Sequence, residues 1–275
     1  MSEPAHKQGL IIDADDRAIF DRIIAPAAPQ SKHGMVVNEG YRFIALGESG
    51  SGKTTLMRCV VYYTIIQRFA RFALVHDTKG IFPEYPKSIL AANTRDFLSR
   101  GGFKNWTGLP VVSFRGDPRK DQEVSAEEVA RLSLAFARQG IQVGGKWTMN
   151  PHVCVIEEIS EAATAGRKNL KSKGVLKLAE QGRKMGVSLV ATTQTPKNMP
   201  DDIRNQAESI SFGRLTGTTI NYLDTRMDLN PAMVAAIRGN QGEGLPNHHF
   251  VLYIKGQPWD GKVHKLNSRT VQAFE

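Results

Sequence analysis

The run Gly47-Glu48-Ser49-Gly50-Ser51-Gly52-Lys53-Thr54 constrains the fold of this chain more than any other feature. Three glycines in six residues weaken any regular element, because glycine loses the most backbone freedom on folding. They suit a loop whose backbone N–H groups must turn inward around phosphate oxygens at close range. The apolar stretch Phe43-Ile44-Ala45-Leu46 before the run reads as a short strand, and Thr54 to Phe69 reads as a helix with a long apolar face. The loop therefore opens a helix whose positive dipole end adds to anion binding. In that setting Lys53 reaches the β/γ-phosphates and the Thr54 hydroxyl ligates Mg2+, with the binding segment running from Gly47 through Thr55. Loop and context together predict MgATP as the ligand.

Strand-like and helix-like patterns alternate from Tyr41 onward. Phe72-Ala73-Leu74-Val75, Val111-Val112-Ser113-Phe114, Val153-Cys154-Val155-Ile156 and Ser188-Leu189-Val190-Ala191 are short apolar runs, as expected of strands buried on both faces. Ser125 to Gln139 reads as a helix, with Ser125 as N-cap and Glu128 completing a capping box. The expected fold class is α/β: a RecA-like P-loop NTPase with a mostly parallel central sheet flanked by helices. Residues 1–38 read as an N-terminal extension and 39–275 as the P-loop domain. In the extension, Asp15 and Asp16 can cap a short helix carrying Ala18, Ile19, Phe20, Ile23 and Ile24, and a linker from Ala25 to Ser31 follows. Its docking partner, the main domain or a neighbouring subunit, is open at this level.

Binding phosphate is not hydrolysing it. Hydrolysis needs an acidic group near the metal and a group that orients the attacking water. The strand Val153 to Ile156 ends in Glu157-Glu158, at the carboxyl edge where ligands bind in open α/β sheets. Glu157 would face Mg2+, through water, and Glu158 would polarise the nucleophilic water. A glutamate at 157 stands where an aspartate is usual, and its longer side chain changes the reach to the metal. The next strand ends in Gln194, which could contact the γ-phosphate or the water. The plainer alternative for each is a solvated side chain in a strand-to-helix loop.

The 275 residues carry a net charge of +9, which favours an anionic partner, nucleic acid being the commonest. Two cysteines, Cys59 and Cys154, lie inside apolar runs and read as small buried residues, pointing to a reducing compartment. No run of about 18 apolar residues is present, so no membrane insertion is expected. The N-terminus lacks signal-peptide regions, which makes the cytoplasm the expected location.

Two further motifs complete the picture: His76-Asp77-Thr78-Lys79-Gly80, and Gln181-Gly182-Arg183-Lys184-Met185-Gly186-Val187 leading to Ala191-Thr192-Thr193-Gln194-Thr195-Pro196. With the glycine-rich loop, the Ile156-Glu157-Glu158 end and the closing Gly242-Glu243-Gly244 and His249-to-Tyr253 segments, the chain resembles the HerA/FtsK superfamily of DNA-pumping ATPases over about Tyr41 to Tyr253. It is most similar there to the genome-packaging ATPases of tailless, membrane-containing viruses.

The resemblance implies a homo-oligomeric ring, often a hexamer, with ATP sites between subunits and an arginine completing the neighbour's site. Arg183 is the first candidate and Arg214 the second. It further implies that Arg167, Lys168, Lys171 and Lys173, in the basic stretch after Glu158, face a central channel and grip double-stranded DNA without reading its sequence. Arg115, Arg119 and Lys120 form a weaker basic candidate. A capsid or portal-vertex protein is the implied further partner, and the virion joins the host cytoplasm as a location. Rival readings are a filamentous-phage assembly or conjugation ATPase and an ATP-gated scaffold that does not translocate.

Overall fold

The computed structural model describes residues 12–25, 30–32, 35–37, 39–67, 69–77, 88–102, 111–115, 122–143, 146–163, 173–239 and 242–274. Its first half runs α1 (Ala14–Ile24), β1 (Gln30–Lys32), β2 (Met35–Val37), β3 (Arg42–Leu46), α2 (Lys53–Ile66), β4 (Ala73–His76), β5 (Ser88–Ala91), α3 (Thr94–Ser99), β6 (Val111–Phe114) and α4 (Gln122–Gln139). There follow β7 (Ile141–Val143), β8 (Lys146–Thr148), β9 (His152–Ile156), α5 (Ile159–Ala162), α6 (Lys173–Gln181), β10 (Val187–Thr193), α7 (Asp201–Gln206) and β11 (Ser209–Phe212). The chain closes with α8 (Gly217–Met227), α9 (Pro231–Arg238), β12 (His249–Ile254), β13 (Val263–Lys265) and α10 (Ser268–Phe274).

Nine strands form one sheet in the order β13-β12-β11-β3-β10-β9-β4-β6-β5. Every pair from β11 to β5 is parallel, and β12 and β13 extend the sheet antiparallel. The mostly parallel sheet expected from the apolar runs is therefore present. Alternation along each strand splits the core in two, since successive side chains point to opposite faces. Phe43, Ala45, Val75, Val155 and Val190 pack with Phe20 of α1 and Leu56, Met57 and Val60 of α2. Ile44, Leu46, Leu74, Ile156, Leu189 and Ala191 pack on the other face with Ala126 and Ala130 of α4 and Val175 and Leu178 of α6. The helices on both faces explain why all seven residues of β10 are buried. Cys59 and Cys154 are buried in these cores, and burial pushes the Cys154 thiol up to about 12, which leaves it inert.

Two local expectations are corrected. The N-cap of α1 is Asp13, whose carboxylate accepts the Asp15 N–H, while Asp16 turns inward to accept the Asn267 N–H. Helix α4 starts at Gln122, so Ser125 is not its cap; the Ser125 hydroxyl instead pairs with His76 Nε2 at 2.7 Å. Strand β13 escaped the sequence reading because three residues, two of them exposed, carry no usable period. Helix α1 docks on α2 of this same chain, through the Phe20–Tyr63 ring contact and a Tyr63 hydroxyl bond to Asp21.

Candidate functional site

Strand register brings the predicted residues to one edge. Leu46 pairs with Thr193 and Phe212, Ile156 pairs with Ala191, and His76 pairs with Ile156. Gly47, Gln194, Gly213, Glu157 and Asp77 therefore all emerge from the carboxyl ends of β3, β10, β11, β9 and β4. That is the edge where open α/β sheets bind ligands.

The loop after β3 has the conformation its glycines were expected to provide. Gly50 and Gly52 have φ of 73° and 84°, the left-handed region where residues with a Cβ are strained. Gly47 is demanded by space, since a Cβ there would meet Ser51 Oγ at 2.4 Å. Gly52 is the N-cap of α2 and no side-chain oxygen bonds the cap, so the helix start offers its positive dipole end to an anion. Lys53 is 7% exposed, and its ammonium donates to the Glu48 carbonyl at 3.1 Å, over the loop itself. Three backbone bonds, at or beside the ends of β10, β11 and β12, fasten the loop: Gly47 N–H to the Thr193 carbonyl, Glu48 N–H to the Arg214 carbonyl, and His248 N–H to the Ser51 carbonyl. This cradle fits a phosphate chain. Magnesium needs few protein ligands when phosphates supply the rest, and Thr54 with Glu157 fits that demand.

The acids at this edge are buried. Asp77 is 0% exposed and accepts the Ser113 hydroxyl at 2.8 Å. Glu157 is 3% exposed and donates its N–H to the His76 carbonyl. Glu158 is held at one carboxylate oxygen by three donors. Its Oε1 accepts the Gln194 N–H at 2.8 Å and lies 2.8 Å from Thr193 Oγ1 and 3.0 Å from Ser160 Oγ. Its backbone is left-handed, φ 48° and ψ 59°, a conformation costing a residue of this type about 1–3 kcal/mol. Among the described residues two other non-glycine residues have positive φ: Asp228, which ends α8, and His248, which buttresses the loop. Strain therefore concentrates here, as it does at functional sites generally. Asp77, Ser160, Thr193 and His248 were not picked out as site residues. Asp77 and Thr193 lie within motifs already noted in the sequence, while Ser160 and His248 reach the site only through the fold.

The candidate arginines part company. Arg214 lies at the loop of its own chain, donating to the Ser49 carbonyl at 3.2 Å with Nε 3.8 Å from Glu48. Arg183 precedes β10 and so sits at the opposite edge, bound to Glu39 at 2.8 Å and Glu208 at 2.5 Å. Lys173 is exposed at the start of α6, whose first N–H groups at Gly174 and Val175 are capped by the Glu127 carboxylate. Arg167, Lys168, Lys171, Arg119, Lys120 and the Thr78-Lys79-Gly80 part of the second motif lie outside the described residues. Among the described residues no helix is long and apolar enough to cross a membrane.

No protein family matches the chain by sequence, and no curated protein does. Solved structures do match. The genome-packaging NTPase B204 of Sulfolobus turreted icosahedral virus 2, in complex with ATP-gammaS, superposes with a TM-score of 0.57. It shares 15% identity, over 82% of this chain and 97% of that one. The fold is that of the P-loop NTPases. B204 of Sulfolobus turreted icosahedral virus, a DNA-packaging ATPase, matches at 18% identity and TM-score 0.56, over 84% of this chain and 100% of that one. VirB4 of Thermoanaerobacter pseudethanolicus matches at 8% identity and TM-score 0.62, over 87% and 96%.

Proposed function

We propose that this chain is an ATPase that couples hydrolysis to movement of double-stranded DNA, loading a viral genome into a capsid. The observation that carries the reading is the placement of a buried, strained glutamate, Glu158, one hydrogen-bonded residue away from the phosphate-binding loop. Thr193 touches the Glu158 carboxylate through its hydroxyl and the Gly47 N–H through its carbonyl. A protein that only gates on nucleotide has no use for a carboxylate so placed, which disfavours the scaffold reading.

The residues divide the work as follows. Within the segment from Gly47 to Thr55, the N–H groups beyond the fastened Gly47 and Glu48, together with the α2 N-terminus, hold the phosphates, and Lys53 leaves the Glu48 carbonyl to meet the β/γ-phosphate charge. Mg2+, held by Thr54 and by Glu157 through water, supplies charge neutralisation on the phosphates when bound. Glu158 accepts a proton from the attacking water, and Gln194, next to it, reports the γ-phosphate. Arg214 acts within its own chain, because it already bonds the loop. Arg183 is the candidate for the neighbouring site in a hexameric ring, reached only by leaving Glu39 or Glu208. Arg167, Lys168, Lys171 and Lys173 would hold DNA phosphates.

The test is an ATPase assay with and without double-stranded DNA, paired with a translocation assay. Stimulation by DNA of any sequence, abolished in Glu158→Gln, is expected; DNA-independent turnover would remove the motor reading. A conjugation-type ATPase is the alternative reading. It predicts turnover that depends on a membrane partner and no movement on naked DNA.

A further inference from the structure

The Glu158 carboxylate has more hydrogen-bond partners than a water-polarising group requires, and they come from an unexpected place. Thr192 and Thr193 end β10, a strand whose candidate site residue was Gln194. Thr192 Oγ1 accepts the Glu158 N–H at 3.2 Å. Thr193 Oγ1 lies 2.8 Å from Glu158 Oε1 and 2.7 Å from Ser160 Oγ, and it accepts the Thr195 N–H at 3.0 Å. Two hydroxyl protons serve the triangle of Thr193, Ser160 and Oε1. Either both go to the carboxylate, or one hydroxyl relays through the other; in both cases Oε1 is anchored. Thr193 is 0% exposed and Ser160 2%, so no bulk water competes for these bonds. The Thr193 carbonyl meanwhile accepts the Gly47 N–H at 3.2 Å.

We propose that Thr193 is a positioning residue for hydrolysis, its hydroxyl fixing the Glu158 carboxylate and its carbonyl fixing the phosphate loop relative to it. This inference rests on the reading of Glu158 as the water-polarising group. A glutamate has three side-chain torsions, and a free carboxylate on a left-handed backbone would sweep a wide arc. Anchoring Oε1 leaves Oε2 with one direction in which to meet the water. Because the anchor and the loop fastening belong to the same residue, the distance between base and phosphate is set by one strand end and not by two mobile loops. Misplacing a reacting group by 1 Å costs on the order of 100-fold in rate.

The experiment uses the whole chain and measures kcat, the KM for ATP, the Kd for a fluorescent ATP analogue and the melting temperature. Thr193→Val keeps the shape and the backbone carbonyl and removes only the hydroxyl. It should lower kcat about 10- to 100-fold with KM and Kd within about threefold of wild type. Thr193→Ser should recover most of the rate, which a packing role for the γ-methyl would not predict. In a Glu158→Gln background the valine should cost almost nothing more, because its effect passes through that carboxylate. Should the valine variant fail to fold, Thr193→Ala against Thr193→Ser makes the same comparison. The proposal is overturned if valine leaves kcat unchanged, if serine is as poor as valine, or if the loss is equal in both backgrounds. Normal turnover in Glu158→Gln alone would instead remove the underlying reading of Glu158.

Discussion

The two edges of the central sheet handle charge in opposite ways. At the amino edge, Arg42 and Arg183 meet Glu208, Arg183 also meets Glu39, and Arg42 donates to the Glu180 carbonyl. The charges there are matched within the chain, and burial, which pushes Glu208 up, is opposed by both arginines. At the carboxyl edge, Glu158 is met by the Thr193 and Ser160 hydroxyls and the Gln194 N–H. Neutral donors orient a carboxylate without cancelling its charge, so it still attracts a cation or a proton. One edge is built to hold the sheet together and the other to hold charge ready for a ligand. Strain follows the same division, with Glu158 and His248 at the carboxyl edge.

The largest test of this contrast lies at the carboxyl edge. Glu158→Gln should retain ATP binding, lower turnover by about 10³-fold or more and leave the melting temperature nearly unchanged. Lys53→Ala should abolish productive binding, measured with the same fluorescent analogue. If either variant mainly unfolds the protein, the edge is structural and the contrast is lost.

Next in size is the arginine comparison. If Arg183 completes a neighbour's site, Arg183→Ala should bind ATP but hydrolyse it about 10³-fold or more slowly. Mixing it with Glu158→Gln should recover activity, since some mixed interfaces contain both intact groups. Arg214→Ala, acting within its own chain, should give no such recovery. Failure of Arg183→Ala mixtures to regain activity despite proven subunit exchange would return Arg183 to the amino edge as a tie and nothing more.

The amino edge should respond in stability. Glu208→Ala leaves Arg42, whose side chain is 5% exposed, facing Arg183 without its main counter-charge. A loss of about 2–4 kcal/mol is expected in chemical denaturation, discounted for the part-exposed Arg183. Turnover per folded molecule should change far less than in Glu158→Gln. A collapse of turnover at unchanged stability would break the contrast from this side.

Acid sharpens it further, because each edge has a buried histidine: His76 ends β4 and His152 begins β9. Burial pushes both down to about 4 from the usual 6.5. Between those values the unfolded chain binds the protons that the folded chain refuses. Stability therefore rises with pH through this window and falls on acidification from about pH 6.5 to pH 4, by up to about 1.4 kcal/mol per pH unit per histidine. Denaturation midpoints at pH 7 and pH 5 measure this. His152→Gln should flatten the slope; an unchanged slope would mean that His152 titrates normally. The smallest effect is on DNA. Changing Lys168, Lys171 and Lys173 to alanine should lower the salt slope of DNA binding by about 0.9 per lost contact, with basal ATPase preserved. An unchanged slope would move the search to Arg115, Arg119 and Lys120.

Much was legible from local chemistry. A glycine-rich loop has few uses between a strand and a helix, so residues 47–54 fixed both the strand before and the helix after. The apolar runs are parallel strands because only helix-covered strands can be apolar on both faces. Where a local rule failed, a distant partner had outbid it. Ser125 and Glu128 fit a capping box, yet α4 begins at Gln122 and the Ser125 hydroxyl turns to His76, 49 residues away.

By itself, then, the sequence determined the glycine-rich loop between β3 and α2, the α/β class and the position of Glu157-Glu158 at the end of β9, because each depends on neighbours within a few residues. Only the tertiary structure decided that Thr193 joins Glu158 to the loop, that Arg214 lies beside that loop, and that Arg183 sits at the far edge. These depend on which strands lie side by side and in what register. Register is set by packing both faces of the sheet at once, a global condition that no short stretch of chain encodes.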